Sequence, residues 1–231
     1  MPSFLTRLTD FLFPRECAIC GERLNLSEEL FCCSCNMQLP RTNYALSPYD
    51  NPMAQLFWGR IPIEKAVGLV HYNSHTPISK PFYDMKYHDQ PDLAVEIGVF
   101  AAKDLINTDF FNDIDIIIPV PLARKRKSQR GYNQSEKIAF GISHITQIPM
   151  TTKCVKRTRY EGSQTNKNTE ERDENVKDSF KLTKPQLIQG KHVLIVDDIV
   201  TTGATSYYVA KEILKAEGTK ISIMTIGVTK E

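Results

Sequence analysis

The sequence predicts an α/β protein in which a parallel sheet is flanked by helices and preceded by a small cysteine-rich module. Two observations predict it. Short apolar runs alternate with helical patterns at βαβ spacing, which favours parallel strands buried on both faces. Five of the six cysteines are packed between Cys17 and Cys35. A chain of 231 residues is long enough for one such domain with a real core and a small appendage. The expected division is residues 1–40 for an N-terminal helix and zinc-binding module, 41–60 for a linker, and 61–231 for the main domain.

Taken in order, Phe4, Leu5, Leu8, Phe11 and Leu12 recur at helical spacing and predict an amphipathic helix. Such a helix packs against the rest of the protein or offers a docking face to a membrane or partner. The same stretch is not a signal peptide, because it carries Arg7 and Asp10 and lacks a small-residue cleavage site. No apolar run approaches the roughly 18 residues of a membrane span. A cytoplasmic protein is the expectation.

Cys17 and Cys20 form one C-x-x-C pair, and Cys32 and Cys35 form a second. Each pair can offer two thiolates from a tight turn, and two pairs complete a tetrahedral zinc site. Gly21 suits the sharp turn after Cys20. Cys33 is spare. Four thiolates leave no open position on the metal, so the zinc is expected to be structural. A disulfide framework is the rival, disfavoured by the absence of a secretion signal and by the cysteine-poor remainder.

Leu39 to Arg60 is polar and holds Pro40, Pro48, Pro52 and Gly59, which reads as a linker. Ala66 to Val70 reads as a strand, and Pro77 to Tyr87 and Leu93 to Ile106 as helices. Asp115 to Val120 is an Ile-rich strand and Ser135 to Ile145 a helix. Tyr160 to Asn175 is polar and aperiodic, which predicts a long loop. Val193 to Val196 is a strand, Ser206 to Ala216 a helix, and Ile221 to Val228 a last strand.

The segment from Val193 to Thr205 carries the strongest chemical signal. An apolar strand ends in Asp197 and Asp198, and Thr201, Thr202, Gly203, Ala204 and Thr205 lead into a helix. Ligands of open α/β sheets bind at the carboxyl ends of strands. Backbone N–H groups of this turn and the helix N-terminus can cradle a phosphate, and Gly203 permits close approach. The two carboxylates would repel a phosphate but suit sugar hydroxyls or the hydration shell of Mg²⁺. The combination fits a ligand with a phosphate beside a polyol. A response-regulator receiver also carries such acids, but on its first strand, whereas here too little chain follows.

A second cluster is Val120, Pro121 and Leu122, followed by Arg124, Lys125, Arg126, Lys127, Arg130, Gly131, Tyr132, Asn133 and Gln134. It follows a strand and precedes a helix, at the ligand edge of the sheet. Arg126 and Arg130 can grip a diphosphate. A solvated basic turn and a single-strand nucleic-acid surface, with Tyr132 as the stacking ring, are the alternatives. The formal net charge of +2 gives no general pull toward nucleic acid.

The stretch from Val193 to Thr205 resembles the phosphoribosyl diphosphate signature of type I phosphoribosyltransferases. With Met85-Lys86-Tyr87, Arg130-Gly131-Tyr132-Asn133-Gln134, Gln164-Thr165, Arg172 and Asn175, and the four cysteines, nearly the whole chain resembles the ComF family, also called GntX. The resemblance implies a type I phosphoribosyltransferase-like fold that binds 5-phosphoribosyl-1-diphosphate with Mg²⁺. It implies Asp197 and Asp198 on the ribose hydroxyls and Thr201 to Thr205 on the 5-phosphate. Transfer to an unknown acceptor is the expected reaction, in a role linked to DNA uptake during natural competence, with single-stranded DNA or a competence helicase as partner. A non-catalytic ligand sensor or a single-strand scaffold is the alternative. Gln164, Thr165 and Arg172 are the expected contacts of the long loop. The sequence departs from its relatives at Asn166-Lys167-Asn168, where a leucine commonly follows Gln-Thr.

Overall fold

The polypeptide alternates strands whose two sides are both apolar with helices that bury one stripe, and the sheet forms between the helices. The computed structural model describes residues 14–158 and 179–229. The sheet contains β1 (Lys65–Tyr72), β2 (Ile116–Pro119), β5 (His192–Val200) and β6 (Lys220–Thr229), in the order β1-β6-β5-β2. All three pairings are parallel, with Val67 opposite Met224, Ile195 opposite Ile223 and Ile118 opposite Ile195.

Side-chain alternation sorts the core into two layers. Leu194, Val196, Met224 and Ile226 face one layer, with Phe82, Met85, Ile97, Ala101, Ile138 and Ile142 from the helices. Val193, Ile195, Ile221 and Ile223 face the other, with Val209, Ala210 and Ile213. A strand buried on both sides needs apolar residues at every position, which is why these strands read as unbroken apolar runs.

The first layer comes from α3 (Ser79–Tyr87), α4 (Pro91–Leu105) and α6 (Gln134–Thr146), and the second chiefly from α7 (Ala204–Ile213). Helices α4 and α6 cross at backbone contact. A Cβ on Gly98 would lie 2.1 Å from the carbonyl oxygen of Ile138, and one on Gly141 would lie 2.2 Å from that of Val95. Only glycine fits either position, and the crossing fixes the N-terminus of α6 against the sheet edge.

Residues 41–60, expected as a linker, instead pack on the fold. Arg41 bridges to Val70 at the open edge of β1. The short helix α2 (Pro52–Gln55) is capped by Asn51, whose side chain accepts from the N–H groups of Met53 and Ala54. Met53, Ala54 and Phe57 are fully buried. Proline here starts a helix instead of breaking one, because its missing N–H falls in the first turn. The expected strands and helices otherwise form within a few residues of their expected limits, except that β5 continues through Asp197 and Asp198 to Val200.

A helix and a strand pair near the basic run and the long loop were also not expected. The basic run folds as helix α5 (Arg124–Arg130), closed by Gly131 at φ 75°. An antiparallel pair, β3 (Val155–Arg157) with β4 (Phe180–Leu182), joins the flanks of segment 159–178, and the N–H of Thr158 donates to the carbonyl of Ser179 at 2.8 Å. The expected N-terminal helix (Phe4 to Leu12) and the loop residues Gln164, Thr165 and Arg172 lie outside the described residues. Among the described residues, no helix is long and apolar enough to cross a membrane.

Candidate functional site

The acidic pair sits in β5 just beyond its last pairing with β2, where the strand is still paired with β6. Asp197 Oδ1 accepts from the Ser135 hydroxyl at 2.8 Å and from the Asp198 N–H at 2.9 Å. Asp198 Oδ1 accepts from the N–H of Ile199 at 2.7 Å, and its Oδ2 pairs with Lys86 Nζ at 3.0 Å. Burial, with the neighbouring Asp198 charge, pushes the Asp197 carboxyl up to about 7, against the pull of Ser135, the Asp198 N–H and Lys86. Two adjacent carboxylates at a strand end offer hard oxygen donors, which fit hydroxyl groups or hydrated Mg²⁺.

Beyond the acids, Thr201 is exposed, Thr202 and Thr205 are half-buried, and Gly203 and Ala204 are buried. Gly203 adopts φ 76° as the residue that opens α7, and a Cβ there would press on the Phe57 ring at 3.1 Å. A left-handed residue at this point turns the chain from strand to helix within a few residues. The N–H of Ala204 reaches the Thr202 hydroxyl at 3.5 Å, and the first N–H groups of a helix have no earlier turn to accept them, which is the arrangement that receives a phosphate.

The Arg130-to-Ser135 segment holds the neighbouring elements together. The Tyr132 hydroxyl donates to the carbonyl of Met85, Gln134 Nε2 reaches the same oxygen at 3.5 Å, and Asn133 Nδ2 donates to the carbonyl of Val120 at 3.0 Å. Ser135 completes the set on Asp197. Four successive side chains thus tie α3, β2 and β5 together at the sheet's carboxyl edge. Tyr132 is buried, which removes the stacking ring of the alternative single-strand reading.

Val120 is buried, and its N–H donates to the carbonyl of Val196 at 2.9 Å. Its carbonyl is taken by Asn133, so its backbone groups serve the fold. Pro121 and Leu122 are half-buried beside it. Arg126 is exposed and Arg130 half-buried. Both line an open cleft of about 600 Å³ with Lys86, Tyr87, Asp89, Gln129 and Gly131. The Arg130 guanidinium lies over the Tyr87 ring at 5.4 Å.

Two cations of this region were absent from the expected site. Lys86, from α3, joins Asp198 to the cleft. Arg157, at the end of β3, is half-buried, with its guanidinium 5.2 Å from the Phe180 ring centre. Its Nε is buried without a hydrogen-bond partner among the described residues. Burial and the Arg126 charge pull its pKa down, and Asp197 pushes it back up. No pattern in the sequence pairs Lys86 with Asp198, since the contact depends on how α3 packs. Tyr83 and Tyr87 are likewise exposed on α3, with ring centres 4.7 Å apart.

At the other end of the protein, the Sγ atoms of Cys17, Cys20, Cys32 and Cys35 all lie within 4.8 Å of one another. Four thiolates at about 2.3 Å from a tetrahedral zinc ion would stand about 3.8 Å apart, and Cys20 and Cys32 stand 3.7 Å apart. Gly21, at φ 76°, closes the first turn, its N–H donating to the Cys17 carbonyl at 2.9 Å. In the second turn Cys32 caps the short helix α1 (Cys33–Met37) and accepts from the N–H of Cys35 at 3.5 Å. The Cys17 thiol is lowered to about 7: burial opposes the shift, but N–H groups of Cys20, Cys32 and Ile19 outweigh it. Burial and the surrounding sulfurs push Cys35 up. The donor set and spacing could hold a zinc ion. The module docks on α4 through Phe31 against Phe100 at 4.9 Å and Arg41 on Asp104 at 3.0 Å. Cys33 is exposed outside the cluster.

With this geometry in hand, a model of the phosphoribosyl transferase domain matches residues 87–228. The chain is 27% identical over 202 residues to DNA utilization protein YhgH of Escherichia coli (strain K12), covering 86% of this chain and 84% of the relative. It is 26% identical over 213 residues to competence protein F of Haemophilus influenzae, covering 88% and 92%. It is 28% identical over 112 residues to competence protein ComFC of Bacillus subtilis, covering 48% and 43%.

Proposed function

The chain belongs to the phosphoribosyl transferase domain family as a ComF-type, phosphoribosyltransferase-like protein, and we propose that it binds 5-phosphoribosyl-1-diphosphate with Mg²⁺ at the end of β5. The observation that carries this reading is the juxtaposition of the Asp197–Asp198 pair with the left-handed Gly203 that opens α7. In this reading the two carboxylates orient the ribose hydroxyls, and Thr201 to Thr205 receive the 5-phosphate. Pro121, Leu122, Arg126 and Arg130, with the additional cations Lys86 and Arg157, face the diphosphate.

The proposed reaction is transfer of the phosphoribosyl group. A lone pair of the acceptor forms a bond to ribose C1 while the bond from C1 to the diphosphate oxygen breaks, and the electron pair leaves with diphosphate. Positive charge develops on the sugar, and the carboxylates below it favour that state. The arginines stabilise the departing anion through charge-assisted hydrogen bonds. Mg²⁺, when bound, would neutralise diphosphate charge as a Lewis acid. Release of diphosphate measured over a panel of bases and amines tests the transfer: acceptor-dependent release supports it, and none with any acceptor would limit the protein to binding.

The names of the relatives extend to this chain as a role linked to DNA uptake in competence. The free thiols of the cysteine cluster support a reducing, cytoplasmic setting and a structural zinc ion. A second reading, a single-strand-handling scaffold, is favoured by one observation: Tyr83 and Tyr87 are exposed beside Arg130, and exposed aromatic rings next to cations are what stacking of unpaired bases requires.

A further inference from the structure

Among the described residues, Lys86 is the one side chain that touches the acidic pair and also lines the cationic cleft. Its Nζ stands 3.0 Å from Asp198 Oδ2, and it shares the cleft with Arg126, Gln129 and Arg130. The backbone beneath it is fixed, because the Met85 carbonyl is held by Tyr132 and Gln134. The moving part is therefore the lysine's four-carbon stem. A lysine ammonium is a compact charge on a flexible stem, suited to changing partners, whereas an arginine fork is suited to one fixed geometry.

The partner it holds is the acid engaged at both of its oxygens. Both bonds to Asp197 come from within the fold, from Ser135 and the Asp198 N–H, and both reach Oδ1. Asp198 keeps one oxygen on the N–H of Ile199 and gives the other to Lys86. A sugar hydroxyl that uses Asp198 meets the lysine at that oxygen and competes with it for the carboxylate's lone pairs. The same ligand brings a diphosphate into the cleft the lysine lines.

We propose that Lys86 is a ligand-binding residue that exchanges partners, neutralising Asp198 in the free protein and turning to the diphosphate when phosphoribosyl diphosphate enters. This rests on the reading of the site given above. The exchange has two consequences of opposite sign. For the full ligand Lys86 is an attractive group, so its removal weakens binding. For a bare divalent cation it is a competitor at Asp198, so its removal strengthens binding. A lysine that merely supported the fold would move both affinities downward or neither.

The test is a pair of titrations on wild type, Lys86→Met and Lys86→Arg, each checked by thermal melting. Phosphoribosyl diphosphate with Mg²⁺ is followed by calorimetry, and Mn²⁺ alone by water-proton relaxation. Lys86→Met is expected to weaken phosphoribosyl diphosphate about 10- to 100-fold, the range of a lost charge-assisted bond. The same variant is expected to tighten Mn²⁺ about fivefold, the upper range for an ion pair at a partly solvated site, here with side chains 21% and 17% exposed. Lys86→Arg keeps the charge and is expected to fall between wild type and Met for the ligand. If wild type binds the ligand and Lys86→Met binds it equally well, or if Mn²⁺ weakens alongside the ligand, the exchange is refuted while the site reading stands. If wild type itself fails to bind phosphoribosyl diphosphate, the site reading fails and the exchange falls with it.

Discussion

Replacing Asp197 by Asn is expected to stabilise the fold while removing a ligand contact. The carboxyl is pushed from an ordinary 3.8 to about 7 by burial and by its neighbour Asp198. Because the native value lies above the unfolded one, the native state keeps a proton that the unfolded chain has released between about pH 4 and pH 7. Wild-type stability should therefore decline across that window and level off above it, as far as this group contributes. At about 1.4 kcal/mol for each tenfold change in proton affinity, the ceiling on the loss is about 4 kcal/mol. Partial exposure of the site and relaxation reduce the expected gain of the variant to about 1–2 kcal/mol at pH 8. Asparagine keeps an oxygen for the Ser135 hydroxyl and the Asp198 N–H, so no donor is orphaned. Urea denaturation of wild type and variant at pH 4, 5, 6, 7 and 8 gives the difference directly. It should be near zero at pH 4 and grow in favour of the variant up to about pH 7. A pH-independent difference, or a variant less stable at pH 8, would refute the claim that this carboxyl is strained by its surroundings.

Three other outcomes follow from the same contacts. Purified protein should carry one zinc ion per chain, and Cys17→Ser should lower that content and the melting temperature of the cysteine module; metal analysis showing no zinc, with all four thiols titrating freely, would contradict it. Tyr132→Phe should cost about 1–2 kcal/mol in chemical denaturation, since the buried Met85 carbonyl loses its main donor; no loss would mean that the hydroxyl bond contributes nothing to the clamp. Tyr83→Ala, outside the cleft lining, should weaken any binding of a single-stranded oligonucleotide by about 1–3 kcal/mol without changing phosphoribosyl diphosphate affinity, and unchanged oligonucleotide binding would remove the support for the scaffold reading.

The sheet was legible because its strands are buried on both faces and must be apolar throughout, as in Ile116-Ile117-Ile118 and Val193 to Val196. The strand, turn and helix start from Val193 to Thr205 were legible because one short run of chain supplies an apolar strand, a glycine and a helix N-terminus. The cysteine cluster was legible for a similar reason, its ligands coming from two local turns. What depended on packing was not. The Lys86–Asp198 pair spans two elements far apart in sequence, and neither residue advertises the other. Tyr132 entered only as the stacking ring of the alternative single-strand reading, and its burial against the Met85 carbonyl depends on how α3 packs. The prolines of 41–60 suggested a linker, while the apolar residues Met53, Ala54 and Phe57 decided the outcome by filling the second core layer. The basic run became a helix because its unbranched side chains favour one and only Gly131 ends it.

The central claim is that the end of β5 binds phosphoribosyl diphosphate through its carboxylates. Calorimetric titration of that ligand in Mg²⁺, into wild type and into the double variant Asp197→Asn with Asp198→Asn, tests it most directly. Both substitutions remove charge at nearly constant volume, so melting should show the fold retained. Saturable binding to wild type and loss of that binding in the double variant is the predicted result. Equal affinity in the two proteins would contradict the account, because the carboxylates would then make no contact that the ligand uses.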